Sequence, residues 1–337
     1  MSDASGSHTA TPRLVISDFG FEAPDREQLR AALGPDALLL VSGGDALREA
    51  MRAHPEADVL CTFFPSPDTL DLLPNLRWIA LPSAGADHVL RAGLVRPGGP
   101  IVTTANGVHS VPIGEFVFSM LLAWLRHWPQ IVEAQRTSTW PPRPEWRQLT
   151  GRELYGNTLL VIGLGAIGRY VARLGRGFGM HVIATRRTAQ PGATDSDANE
   201  LLPMSRLHDA LSRADFVVVS VPATPETYHL IGAAELRAMK PSALLVNIAR
   251  GTIIDEPALI EALRAGEIGG AALDVFEHEP LAPDSPLWTM PNVIISPHIS
   301  GSTDQYSRRF TDLFLDNLAR YRTGQPMRNV VDPTRGY

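Results

Sequence analysis

The sequence holds one cysteine, one lysine and no apolar run long enough to cross a bilayer, and each scarcity narrows what the chain can be. Cys61 has no second thiol to pair with, so no internal disulfide forms; a reducing, cytoplasmic setting is expected. Its place in the apolar run Val59-Leu60-Cys61 points to an inert packed thiol. A membrane helix needs roughly 18 consecutive apolar residues, which the sequence does not offer. The first dozen residues, Met1 to Pro12, are small and polar and lack the apolar stretch of a signal peptide, so secretion is not expected either. Positive charge is in deficit: 30 basic against 36 acidic residues leave a net charge of −6. That excludes a broad nucleic-acid or anionic-membrane surface and leaves room only for a local anion site. Nearly all the basic residues are arginine, Lys240 being the one lysine, so an arginine carries meaning only inside a motif. No paired His or Cys spacing suits a metal, and none is expected.

What is present is a chain of 337 residues, 44% hydrophobic and 20% charged, enough for two domains with real cores. Short β-rich runs alternate with helical stretches, the pattern of parallel sheets wrapped by helices. Five strands are predicted in the first third: Leu14 to Ser17, Leu38 to Ser42, Val59 to Phe63, Trp78 to Leu81 and Ile101 to Thr104. Six more are predicted from residue 158 onward: Leu159 to Gly163, His181 to Thr185, Phe216 to Val221, Leu244 to Ile248, Ala271 to Val275 and Val293 to Ser296. Between the sets, Ile113, Phe116, Val117, Met120, Leu121 and Trp124 recur at helical spacing and predict one helix over about 112–127, with Ser110 as its N-cap. The proline-rich stretch Thr139 to Arg147 predicts an extended arm, whose Trp140 and Trp146 can pack on a second subunit or on the same chain. A last amphipathic helix over Phe310 to Tyr321 is expected to return to the first domain.

The predicted strand ending at Ile162 runs directly into Gly163-Leu164-Gly165-Ala166-Ile167-Gly168 and then a helical stretch. Glycines there permit a tight turn and close approach of backbone N–H groups to a pyrophosphate at a helix N-terminus. Inside a strand-turn-helix context the motif predicts a dinucleotide site. The next strand ends Thr185-Arg186-Arg187, with no acid until Asp195. A carboxylate at that point would bind the ribose of NAD, whereas guanidinium groups bind a 2′-phosphate. NADP(H) is therefore expected over NAD(H), through Arg186 with Thr185 and Arg187 assisting.

Three further segments each follow a strand of the second set: Val246-Asn247-Ile248-Ala249-Arg250-Gly251-Thr252, Leu273-Asp274-Val275-Phe276-Glu277-His278-Glu279-Pro280, and Ile295-Ser296-Pro297-His298-Ile299-Ser300-Gly301. Their shared direction brings them to the crevice beyond the carboxyl ends of that sheet. Together with the glycine motif, with Val221-Pro222-Ala223-Thr224-Pro225-Glu226-Thr227 and with the stretch Trp78 to Asp87, they resemble the signature of the D-isomer-specific 2-hydroxyacid dehydrogenases over nearly the whole chain. The resemblance implies Arg250, Glu279 and His298 as the catalytic residues. It implies Ser83, Ala84, Gly85 and Ala86 as a loop offering backbone groups to the substrate carboxylate, and Val221, Pro222, Ala249 and Asp274 as contacts to the nicotinamide end of the cofactor. Taken singly, Arg250 reads equally as an ion-pair residue, Glu279 as a loop cap and His298 as a turn histidine. Their joint occurrence in order, each after a strand of one sheet, argues for the catalytic set. His109 and Trp124 are read as packing residues.

The chemistry accounts for the residue types. Hydride addition to a ketone builds charge on oxygen, so a proton donor such as His298 is needed within hydrogen-bond reach. A carboxylate such as Glu279 stabilises imidazolium, and a planar cation such as Arg250 fastens the substrate's acid group. The expected architecture is two doubly wound parallel-sheet α/β domains. A Rossmann cofactor domain, 112–299, is inserted in a discontinuous flavodoxin-like substrate domain, 1–111 with 300–337, and hinge closure between the two is implied by the resemblance. The expected reaction is reduction of a small 2-oxo acid of the glyoxylate or hydroxypyruvate kind by a homodimer. Bulkier 2-oxo acids and a nucleotide-sensing corepressor role are the alternatives. Formate oxidation ranks below these because enzymes of that kind resemble this chain with Gln where Glu279 stands.

Overall fold

Continuous apolar runs such as Val15-Ile16 and Val59-Leu60-Cys61 carry no alternation of polar residues, because both faces of each strand are covered. The computed structural model describes residues 12–190 and 192–334, so the expectation for the N-terminal stretch lies, apart from Pro12, outside the described residues. The chain divides into two compact units, one running to His109 and resuming at Thr303, the other Ser110–Ser302.

The first unit is built on β1 (Val15–Ser17), β2 (Leu38–Leu40), β3 (Val59–Cys61), β4 (Trp78–Ala80) and β5 (Ile101–Thr103). All pairs are parallel, in the order β2-β1-β3-β4-β5, the flavodoxin-like arrangement. The final helix, Tyr306–Arg322, belongs to this unit and starts earlier than predicted. Its Phe314 stacks on the wholly buried Trp78 of β4 at 4.7 Å, and the indole N–H donates to Thr103 Oγ1 on β5 at 2.9 Å.

The second unit has seven strands where six were predicted: β6 (Thr158–Ile162), β7 (His181–Arg186), β8 (Glu200–Pro203), β9 (Phe216–Val219), β10 (Leu244–Asn247), β11 (Gly270–Leu273) and β12 (Val293–Ile295). The unforeseen strand, β8, lies at the sheet edge with one buried residue of four and ends in a proline, so it leaves little hydrophobic pattern to read. The order β12-β11-β10-β9-β6-β7-β8 is that of a doubly wound dinucleotide fold, and its direction reverses between β6 and β9.

The long helix is Ser110–Leu125, two residues earlier than predicted. Ser110 is its first residue, not its N-cap, and its buried Oγ has no hydrogen-bond partner. Val117, Leu121 and Leu125 form its buried stripe, and Gly114 leaves the space that the Tyr170 ring fills. The helix stops at Leu125, His127 adopts φ 53°, and a second helix that was not predicted, Trp128–Arg136, follows with no buried residue. The expected arm is extended only to Pro142; Arg143–Leu149 forms a 3-10 helix, pinned by a bond from Trp146 Nε1 to Pro141 O of 2.9 Å. Among the described residues no helix is long and apolar enough to cross a membrane.

Candidate active site

The glycine loop follows a strand whose last four residues are buried. Gly163 has φ 97°, a conformation that costs other residues dearly, and a Cβ there would lie 2.7 Å from Val221 Cγ1 just beyond β9. A Cβ on Gly168 would collide with the Gly163 carbonyl, whose oxygen accepts from Ser220 Oγ at 2.7 Å. These two glycines close the turn on itself. Gly165 is different, since a Cβ there would meet nothing within 4 Å. It stands at the N-cap of the helix Ala166–Gly177, which has no side-chain cap and no acid in its first turn. A helix start with no side-chain cap and no acid, following an open glycine, fits a pyrophosphate on the N–H groups of Ala166 and Ile167.

At the end of β7 the three predicted residues separate. Thr185 is wholly buried, and its carbonyl accepts from Gly163 N at 3.1 Å, so it braces the glycine turn and presents no side chain outward. Arg186 and Arg187 are exposed. The nearest acid along the chain, Asp195, is gripped by both Arg169 nitrogens at 2.8 and 2.7 Å, and Arg169 also reaches Asp197 at 3.1 Å. The Asp195 carboxyl is held below its ordinary range, chiefly by Arg169, with the Asp197 N–H and the charge of Arg186 adding. Arg187 contributes likewise to lowering Glu226, whose main cause is the Thr224 hydroxyl. Two cations, Arg186 and Arg187, thus face outward at the end of β7, while Asp195 is engaged by Arg169. Nearby, Val221 is half-buried and Pro222 exposed, its carbonyl accepting from Thr227 Oγ1 at 2.7 Å.

The three catalytic candidates lie on successive loops at the carboxyl edge of the same sheet. β10 ends in Asn247, whose side chain fastens the following turn at both ends: Nδ2 donates to Arg250 O at 2.9 Å and Oδ1 accepts from Ala249 N at 3.1 Å. Ala249 is buried, and its carbonyl accepts Arg250 Nη1 at 2.8 Å. A Cβ on Gly251 would collide with the Phe276 and Glu277 backbone, so only glycine lets the Arg250 turn lie against the next loop. In that next loop Glu279 bends back, Oε1 accepting from Phe276 N at 3.0 Å, while Oε2 meets His298 Nδ1 at 2.7 Å. His298 is half-exposed and sits at φ 55°, in the left-handed region. With Nδ1 engaged, Nε2 is the nitrogen available to a substrate.

Asp274, expected at the nicotinamide end, has a carboxylate that also holds the histidine loop. It is buried, Oδ1 accepts from Ser296 Oγ at 2.6 Å and Ile299 N at 2.9 Å, and Oδ2 accepts from Ser300 N at 3.0 Å. It clamps the turn that carries His298 and supports its strained backbone. No local sequence signal announces this role, because the partners are 22 to 26 residues away.

In the first unit the Ser83–Ala86 stretch follows β4. Ser83 Oγ donates to Gly85 O at 2.8 Å, and Ser83 O accepts from Ala105 N at 2.8 Å. Pro82 O, just before it, accepts the Tyr306 hydroxyl at 2.7 Å and lies 3.3 Å from Nε2 of the buried His109. Trp124, in the second unit, fills the space over Gly270, so it packs as expected. Among the described residues no group of three His, Cys, Asp or Glu side chains could hold a metal.

Comparison with known proteins agrees with this geometry. Residues 118–300 match the model of the D-isomer specific 2-hydroxyacid dehydrogenase NAD binding domain. A glyoxylate reductase of Thermococcus gammatolerans is 39% identical over 268 residues, 79% of either chain. Among solved structures, a D-isomer specific 2-hydroxyacid dehydrogenase of Xanthobacter autotrophicus in complex with NADPH and MES is 30% identical with a TM-score of 0.82, over 97% of this chain and 100% of that one. An NADPH-dependent glyoxylate/hydroxypyruvate reductase of Sinorhizobium meliloti in complex with NADP and sulfate is 28% identical with a TM-score of 0.79, over 96% of this chain and 99% of that one. The two parallel sheets, the glycine turn and these matches agree, and the chain belongs to the D-isomer specific 2-hydroxyacid dehydrogenase family.

Proposed function

We propose that the protein reduces a small 2-oxo acid of the glyoxylate or hydroxypyruvate kind to its D-2-hydroxy acid, with NADPH preferred to NADH. The observation that carries the reading is the 2.7 Å bond between His298 Nδ1 and Glu279 Oε2, on the carboxyl edge of the sheet that bears the glycine turn. A bound reduced nicotinamide would supply the hydride for the carbonyl carbon. The chain's own groups do the rest. Arg250 offers a planar fork to the substrate carboxylate, and Ser83, Ala84, Gly85 and Ala86 keep the substrate-loop role that the family resemblance gives them. As the hydride arrives, charge develops on the carbonyl oxygen and the Nε2–H of His298 delivers its proton there. Glu279 fixes the tautomer by accepting Nδ1–H and stabilises imidazolium before transfer. Asp274 keeps the histidine turn in place.

The cofactor preference rests on Arg186 and Arg187 being exposed while Asp195 is occupied by Arg169. The Sinorhizobium relative's use of NADPH, glyoxylate and hydroxypyruvate, and the Thermococcus relative's name, support both parts. Trp128, Trp140 and Trp146 are exposed on the second unit, an apolar surface that a homodimer would cover. A cytoplasmic location fits the single buried thiol of Cys61.

Steady-state kcat/KM with glyoxylate, hydroxypyruvate, pyruvate and phenylpyruvate, each with NADPH and with NADH, tests the reading. The highest values are expected with NADPH and the two smallest hydroxylated or aldehydic acids. A preference for NADH overturns the cofactor assignment. Selective turnover of phenylpyruvate overturns the substrate class, and tight NADPH binding without turnover of any acid overturns the enzymatic role.

A further inference from the structure

His229 lies outside the catalytic set, yet three loops of the carboxyl edge meet at it. It follows β9 by ten residues and adopts φ 49°, a left-handed conformation that residues other than glycine seldom take. Its backbone N–H donates to Thr252 O at 2.9 Å, two residues beyond Arg250. Its Nε2 lies 3.0 Å from Glu277 Oε1, two residues before Glu279. Its Nδ1 is 3.9 Å from Asp255 Oδ2, the carboxylate that caps the helix Glu256–Ala265. The Tyr228 ring stacks over the imidazole at 4.0 Å and holds its plane.

Each loop is further fastened to the same point. Ile231 N donates to Ile253 O and Asp255 N to Ile231 O, both at 3.0 Å, so the segment after His229 is zipped to the turn after Arg250. Glu277 is steadied in turn by its own N–H, which donates to Glu256 Oε2 at 3.1 Å. Gly251 already brings the two loops into backbone contact. The His229 to Glu277 bond adds a side-chain tie across that contact.

We propose that His229 is a positioning residue: bonded by its backbone to the Arg250 turn and by its imidazole to the Glu277 loop, it sets the separation between the carboxylate-binding Arg250 and the Glu279–His298 proton donor. The proposal rests on the roles given to those three residues above. It predicts a loss felt by the 2-oxo acid and not by the cofactor, because the bonds of His229 run to the Arg250 and Glu277 loops.

The test uses the full-length enzyme and the variants His229→Asn, Glu277→Ala, Glu277→Gln and the double variant His229→Asn/Glu277→Ala. Asparagine tolerates the left-handed backbone and keeps the N–H bond to Thr252, but it is too short to span to Glu277. His229→Asn and Glu277→Ala are each expected to lower kcat/KM for glyoxylate about 10- to 100-fold, the scale of a small misplacement of reacting groups, with NADPH affinity by fluorescence titration unchanged. The double variant is expected to lose no more than either single one. Glu277→Gln, which keeps an oxygen acceptor for the imidazole N–H, should recover most of the activity. A normal kcat/KM in His229→Asn, a parallel fall in NADPH affinity, or additive losses in the double variant would overturn the proposal. Arg250→Ala and His298→Ala run alongside separate the two failures. If those variants lose turnover while His229→Asn keeps it, this inference alone fails, and if they keep turnover the underlying reading of the site fails with it.

Discussion

The two edges of the seven-stranded sheet use charge in different ways. At the amino-terminal edge, Asp215 stands just before β9 and accepts Thr158 N at 2.9 Å from the start of β6 and Lys240 Nζ at 2.8 Å from the approach to β10. Glu200, the first residue of β8, is held between Arg213 and His181 at the start of β7. Each of these charges ties neighbouring elements together. At the carboxyl-terminal edge the pairing is arranged around an opening: Glu279 engages one nitrogen of a half-exposed histidine, and Gly165 keeps side chains out of the space before the helix N-terminus. These charges complete the fold at one edge, and at the other some of them also stand beside an opening. Parallel strands make this division natural, because the loops that open into the crevice all leave from the same end.

The comparison is tested by asking whether activity and stability separate by edge. His298→Ala should lower kcat by about two to four orders of magnitude if it delivers the proton, with the thermal midpoint by calorimetry close to that of the parent. A large loss of stability with near-normal kcat would move this residue to the structural side. Arg250→Ala should lower kcat/KM for the 2-oxo acid about 10- to 100-fold, the cost of losing charge-assisted hydrogen bonds, while titration shows NADPH affinity retained. Lost cofactor affinity with an unchanged KM for the acid would refute its assignment. At the opposite edge the pattern should invert. Asp215→Ala strands the Thr158 N–H and should cost about 1–3 kcal/mol in denaturant unfolding, leaving kcat/KM per folded molecule intact. The smallest effect is expected at Glu200. Arg213 chiefly, and His181 after it, depress its carboxyl from 4.5 to about 2. A depressed acid stabilises the fold above its unfolded value and loses that contribution as pH falls from about 4.5 toward 2. Glu200→Gln should flatten the acid limb of thermal midpoint against pH, and an unchanged slope would remove this network from the account.

Much of the carboxyl edge is legible in the sequence because its markers sit directly after buried apolar strands. Val246-Asn247 leads to Arg250 and Leu273-Asp274 to Glu279, and a parallel sheet brings such loops to one side whatever their spacing in the chain. The glycine turn is legible for a similar reason, since its spacing of glycines directly after a buried strand is visible within six residues. What escapes is set by partners distant in sequence. Asp274 gives no sign in the sequence of Ser296, Ile299 and Ser300 around its oxygens, and His229 gives no sign of Glu277, 48 residues on. Thr185 likewise follows the β7 pattern into the interior, so its strand position, and not its polarity, decides where its side chain goes. The helix Trp128–Arg136 buries nothing and so prints no periodicity, and β8 is too short and too exposed to show alternation.

The open space at Gly165 carries one more consequence, of a thermodynamic kind. Gly163 and Gly168 are demanded by the chain's own backbone, so altering either would change the stability of the free protein. At Gly165 folding makes no such demand. A methyl group placed there would leave the unfolding equilibrium of the ligand-free protein almost untouched and would subtract only from the increment that a bound dinucleotide adds, which grows as RT ln(1 + [L]/Kd). Within six residues the loop therefore keeps two separate accounts of free energy, one written by the fold and one by its ligand.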